Sequence, residues 1–264
     1  MDNPLDRTRE EPQFGVVRRT LGYLFAFAFI AAAFYFGGHF EGASGPASGS
    51  SVQAAVTQRL YRETGPIDAR CDPLPGTLEA ESTLNALSLC LDRMWSATLA
   101  KAGVPYQQPE IRLVATPAEA ACTTDEYDWS GIYCSDLRVI NILSEASVLQ
   151  MMFTLAHEYA HHAQELGGTA GAQWMMEGGE EWSRRFELQA DCLAAVTLRT
   201  AAPGVLAVTR QLAEDAADAV DDRERAYRRG HGSPVHSAAW IGRGEQGGAM
   251  ASCDTWEVPA GQVS

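Results

Sequence analysis

The stretch that most restricts this chain is Met151-Met152-Phe153-Thr154-Leu155-Ala156-His157-Glu158-Tyr159-Ala160-His161-His162. Within it His157, Glu158 and His161 spell H-E-x-x-H. Residues four apart share one face of a helix, so His157 and His161 can aim two imidazoles at a single ion. Glu158 stands one step round the same helix, where its carboxylate can reach a water on that ion. The flanks are helical in character. Residues 148–164 contain no Gly or Pro, and Val148, Met152, Leu155, Tyr159 and Ala163 recur at helical spacing. A pair of satisfied core histidines beside a surface Glu is the plainer reading, and the helical context weighs against it.

Two imidazoles hold a catalytic zinc only with a third protein ligand, and the fourth position must stay open for water. The metzincin solution places a His six residues beyond the motif and a Gly three residues beyond it; Gly167 and Gln164 stand there, which excludes that arrangement. The other solution is a Glu on a second helix. Glu187-Leu188-Gln189-Ala190-Asp191-Cys192 has helical composition and follows the motif by a short connection. Glu187 and Asp191 are four apart and share a face. Glu187 can then bind the metal while Asp191 accepts the N–H of a liganding imidazole, fixing its tautomer and raising its basicity. Glu177, Glu180 and Glu181 are alternatives, and none has an Asp or Asn four positions later. The short connection predicts near-antiparallel neighbouring helices.

At 264 residues the chain has room for one domain of roughly 200 residues plus an N-terminal extension. Its formal charge of −14 argues against binding nucleic acid or docking to anionic lipid. Residues 1–20 are polar and include Arg7, Arg9, Arg18 and Arg19, and residues 21–38 are uncharged and mostly apolar. Such a run is at the short end for a membrane span. The arginine pair before it and Glu41 after it keep the N-terminus in the cytoplasm and send the remainder across. The expected organisation is a cytoplasmic segment over 1–20, a transmembrane anchor over 21–38, a flexible linker over 39–51 and a globular domain over 52–264. The competing reading is a cleaved signal peptide, with small residues after position 41 to cut at, which would make the domain secreted. The six cysteines all lie beyond residue 70, and an even count suits three disulfides in an oxidising compartment. Neighbour arguments among the fifteen possible pairings favour Cys122 with Cys134, Cys71 with Cys90, and Cys192 with Cys253.

Along the domain, residues 52–64 and 77–101 read as helices. Residues 110–115, 131–134 and 138–143 read as strands, the last two as a hairpin about Ser135-Asp136. After the break at residues 166–172, helices are expected over 180–200 and 205–228. The Gly-rich stretch from residue 230 has no evident element. Helices packed on one small sheet make an α+β domain.

The run from His157 to Gln164, then Glu187-Leu188-Gln189-Ala190-Asp191-Cys192, resembles the bacterial neutral zinc metallopeptidases. Tyr133-Cys134 with Asp136, His231-Gly232-Ser233, Trp240, Arg243-Gly244 and Ser252-Cys253-Asp254-Thr255-Trp256 extend the resemblance over residues 120–257. Inside the motif, Tyr159-Ala160 stands where that family usually has Val-Gly. The resemblance implies a zincin-like fold, a Glu as third zinc ligand and, commonly there, anchoring by one N-terminal helix.

The reading that follows is a membrane-anchored, Zn2+-dependent peptidase acting on peptides or proteins. Its metal ligands would be His157, His161 and Glu187, with Asp191 behind an imidazole and Glu158 as general base. An oxyanion donor is also expected, with His231 in its Gly-flanked loop as candidate and His236 as competitor. The rival readings are a structural zinc site closed by Cys192 as fourth ligand, and a membrane-anchored zinc-binding module with a latent site that acts by protein binding.

Overall fold

Leu84, Leu87, Leu91, Met94, Trp95 and Leu99 recur three and four apart, and they wind α1 (Ala80–Lys101) with one face wholly inside the core. In this computed structural model the described residues are 59–68, 71–72, 74, 79–122, 129–144, 147–168, 172–215 and 228–264, with 172–178 and 214–215 described by backbone alone. The predicted polar segment, apolar run and linker over residues 1–51 lie outside them, as does most of the helix expected over 52–64. Among the described residues no helix is long and apolar enough to cross a membrane.

The sheet has three strands, β1 (Glu110–Val114), β2 (Gly131–Cys134) and β3 (Val139–Leu143), in the order β1-β3-β2. β3 is parallel to β1 and antiparallel to β2. A run of Val-Ile-Asn-Ile suits the centre because it is buried on both faces. Its one polar member, Asn141, is fully buried and satisfied, accepting the Ala121 N–H at 3.1 Å. The hairpin expected between β2 and β3 is present, turning through Ser135–Leu137 with Arg138 left-handed at φ 53°.

The motif helix α2 (Val148–Leu166) starts at a capping box, in which the Ser147 hydroxyl takes the Gln150 N–H while the Gln150 side chain takes the Ser147 N–H. It packs on β2, β3, α1 and the following helix, α3 (Ala172–Ala201). α3 begins eight residues ahead of the predicted start, with Gly179 at φ 63° breaking the helical path between its two parts. α4 (Pro203–Asp215) covers the first part of the helix expected over 205–228; residues 216–227 lie outside the described ones. The fold is α+β, helices on a small sheet.

One element was not legible in the sequence. The Gly-rich region beyond residue 230 contains α5 (Pro234–Gly247), in which Gly242, Gly244 and Gly247 look like helix breakers. Gly244 has a packing reason instead: a Cβ there would lie 2.1 Å from the Cys192 carbonyl oxygen. α5 therefore rests directly on the α3 backbone. Cysteines pair as Cys71–Cys90, Cys122–Cys134 and Cys192–Cys253, with Cα separations of 5.3, 5.8 and 5.5 Å. The third bond ties α3 to the turn after α5.

This packing predicts opposite outcomes for two glycines of one helix. Gly244→Ala should lower stability in urea unfolding by about 1–3 kcal/mol through overpacking. Gly242→Ala, with nothing within 4 Å of the new methyl, should be neutral or stabilising by up to about 1 kcal/mol. Equal effects at the two positions would remove the close-approach account.

Candidate metal centre

α2 and α3 pass each other antiparallel: His157 meets Asp191 near one end of the contact, and His161 meets Glu187 one turn further on. The spacing of four on each helix makes both pairs possible at once. His157 Nε2 and His161 Nε2 each lie 3.2 Å from Glu187 Oε2. Ligand atoms of these three residues all lie within 4.8 Å of one another. Tetrahedral zinc with bonds of about 2.05 Å requires ligand–ligand edges of about 3.3 Å. Both nitrogen-to-carboxylate edges are close to that length, so the donor set fits zinc in type and, along those two edges, in spacing.

Each imidazole is held from behind. His157 Nδ1 is 2.9 Å from Asp191 Oδ1, and the Ser237 hydroxyl of α5 donates to Asp191 Oδ2 at 2.7 Å. His161 Nδ1 is 2.8 Å from Gln164 Oε1. Phe186 stacks on the His161 ring at 4.6 Å between centroids, and Trp182 stacks on Phe186 at 5.1 Å. Sequence reasoning passed over Ser237, Gln164 and this aromatic stack. The i,i+3 spacing of His161 to Gln164 and the i,i+4 spacing of Trp182 to Phe186 were visible signals; Ser237 comes from an element that had not been recognised.

Glu158 is buried beside the imidazoles, and β2 closes over it. The Tyr133 N–H donates to its carboxylate. Gly131 permits that approach, since a Cβ there would lie 2.4 Å from Thr154 Cγ2 and 3.2 Å from Glu158 Oε1. Burial pushes the Glu158 carboxyl above its usual range, against the opposing pull of His161 and His157. Burial also pushes both imidazoles down, but it loses. Asp191 and Glu187 raise His157 well above its ordinary value, and Glu187 raises His161. For Glu187, burial raises the carboxyl and the facing imidazoles overcome it, holding it well below the usual range.

The remaining predicted residues divide. His231 Nε2 is 3.6 Å from Glu187 Oε2, with its side chain 39% exposed at the margin of the centre. His236 is turned elsewhere, its Nδ1 engaged by the Ser264 carbonyl and the Ser233 hydroxyl. His162 points into the protein, between the Tyr133 hydroxyl and the Gln107 carbonyl. Glu181 pairs with Arg185, and Glu180 lies near Arg184 and Arg229, so both are engaged away from the imidazoles. Cys192 is bonded to Cys253 and has no thiol to offer a metal, which removes the structural site closed by Cys192.

Residues 78–256 match a family described as "putative neutral zinc metallopeptidase". The chain belongs to that family. The match takes in α1 and β1, ahead of residue 120 where the resemblance in the sequence began. The chain is 28% identical to an uncharacterized protein of Mycobacterium tuberculosis, covering 64% of this chain and 68% of that one. It is 25% identical to the uncharacterized protein YpfJ of Escherichia coli, covering 69% of this chain and 73% of that one. No solved structure matches it.

Protons compete with a cation for the two Nε2 atoms, because only a neutral imidazole ligates. Both imidazoles of the metal-free protein titrate above the ordinary value of 6.5. Zinc affinity should therefore begin to fall above that value as pH is lowered, steepening toward about 100-fold per pH unit where two protons are displaced. Chelator-competition titrations between about pH 8 and about pH 5 check this. A flat profile would exclude the imidazoles as ligands.

Proposed function

We propose that this member of the zinc metallopeptidase family is a Zn2+-dependent peptidase with a zincin-like fold, acting on peptides or proteins. The observation that carries the reading is the convergence of two imidazole Nε2 atoms on one Glu187 oxygen, with the buried Glu158 carboxyl beside them. In this reading His157, His161 and Glu187 hold the metal and Asp191 holds the His157 tautomer. Zinc bound there supplies Lewis acidity, polarising a scissile carbonyl and lowering the pKa of water toward about 7.

The chain's own residues supply the proton chemistry. Glu158 accepts the proton of the attacking water and hands it to the leaving amine. Its burial beside the two imidazoles keeps the carboxyl in place to take up that proton and give it back. The Tyr133 N–H keeps the carboxylate aimed. His231, at the margin of the centre, is the candidate donor to the developing oxyanion.

We further propose that residues 21–38 anchor the chain in a membrane, with the N-terminus cytoplasmic and the domain from residue 52 outside. The apolar run behind Arg18 and Arg19 supports this, and so do the three disulfides, which suit an oxidising compartment.

Proteolysis of an unfolded protein by the zinc-loaded full chain tests the activity. Glu158→Gln should keep stoichiometric zinc and lose about 10²–10⁴ in rate. Glu187→Ala should lose stoichiometric zinc and activity together, whereas Glu180→Ala should lose neither. Cleavage that survives both Glu158→Gln and chelation would sink the proposed mechanism.

A further inference from the structure

The two imidazoles are backed by different chemistry. Behind His157 stands a carboxylate; behind His161 stands the Gln164 amide. Groups that can only accept decide which end of that amide faces the ring. Gln164 Nε2 donates to the Phe186 carbonyl at 2.9 Å, so the oxygen is the end turned to His161 Nδ1.

The same logic orients the next side chain. Gln189 Nε2 donates to the Cys253 carbonyl at 3.0 Å and also to the Tyr61 hydroxyl. Gln189 therefore presents its oxygen to Gln164 Nε2, at 2.9 Å. Both glutamines are almost wholly buried, 1% and 2% exposed, with no solvent to satisfy a reversed amide. Reversal of Gln164 would set its Nε2 against the Nδ1 proton and its oxygen against the Phe186 carbonyl and the Gln189 amide oxygen, at roughly 1–3 kcal/mol for each lost partner.

The geometry points to Gln164 and Gln189 as positioning residues for His161, an inference that rests on the zinc-site reading above. Their oriented amides, anchored on the Phe186 and Cys253 carbonyls, hold the proton on His161 Nδ1 and leave the Nε2 lone pair directed at the metal position. The division between Asp191 and Gln164 has an electrostatic reason. Glu158, Glu187 and Asp191 already bring three carboxyl groups to a buried centre, and an amide orients a ring without adding a fourth. The relay ends on Cys253, whose disulfide to Cys192 adjoins Asp191, so the supports of both imidazoles meet on one short segment of α3.

The test uses the full chain in detergent, as wild type, Gln164→Met and Gln189→Met, with zinc affinity from chelator competition and histidine side-chain tautomers from NMR. The wild type, metal-free and above the pH at which His161 titrates, should carry its proton on Nδ1 and exchange it slowly. Gln164→Met should lose about 10–100-fold in zinc affinity and expose that proton to exchange. Gln189→Met, which leaves Gln164 in place without its orienting acceptor, should lose less and show the same change at His161, with the His157 signal unmoved in both variants. Wild-type affinity in a folded Gln164→Met protein would overturn the relay. A wild-type His161 protonated on Nε2 would overturn it as well, and this reading needs no variant to fold. Failure of the wild type to take up zinc would count against the zinc reading alone, because the metal-free tautomer still decides the relay.

Discussion

The centre depends on two antiparallel helices placing their few polar residues against each other inside an apolar core. Small residues permit it. Ala156, Ala160 and Ala163 on α2 and Ala190 and Ala194 on α3 are wholly buried, and such small side chains let a helix approach its neighbours closely. Carboxyl groups in such a place are costly to desolvate, by several kcal/mol each. The cost is offset because each of Glu187 and Asp191 faces an imidazole that its charge pulls toward the protonated form. A cation on the two Nε2 atoms would displace a proton from each protonated imidazole and face Glu187 directly, while His157 keeps its Nδ1 proton toward Asp191.

Support for this contact comes from a part of the chain with little regular structure. The segment after α5 has few ladders or helix turns to satisfy its backbone, so side chains of α3 and α5 do it. Arg185 donates to the Val258 carbonyl, Arg184 to the Val263 carbonyl and Trp240 to the Gln262 carbonyl, each at 3.0 Å. The Thr255 hydroxyl returns a bond to the Arg185 carbonyl at 2.8 Å. With the Cys192–Cys253 bond and the Gly244 contact, these tie α3 to α5 and the segment after it. The Ser237 hydroxyl carries this tie through to Asp191 and so to His157.

Much of the fold was legible because its signals are local. Helical spacing in α1 and α2 and a run of β-branched residues in β3 are each written within a few positions of the chain. The hairpin and the Cys71–Cys90 and Cys122–Cys134 bonds could be read from proximity along the sequence, whereas the third bond joins cysteines 61 residues apart. α5 could not, because its glycines answer to a neighbouring backbone, and a close approach between distant segments leaves no periodic trace in either one. For the same reason α3 was read as starting at residue 180: Gly178 and Gly179 look like the end of a loop, while the chain crosses them with a single left-handed residue and resumes.

By itself the sequence determined the two imidazoles, the carboxyl between them, and an acidic pair at matching spacing on a second helix. Helix geometry dictates what residues four apart can do wherever the helix lies. Only the tertiary structure decided which acid meets both Nε2 atoms, that Cys192 is closed to metal, that Gln164 stands behind His161, and that His231 reaches the margin while His236 turns to the Ser264 carbonyl. Gln164 and His161 are three apart on one helix, but the partners that orient Gln164 come from other segments, as the remaining contacts do, such as Gln164 with Gln189 and Gln189 with Tyr61. They exist only once the chain has packed, because the direction of a buried polar side chain is set by the partners that burial leaves within reach.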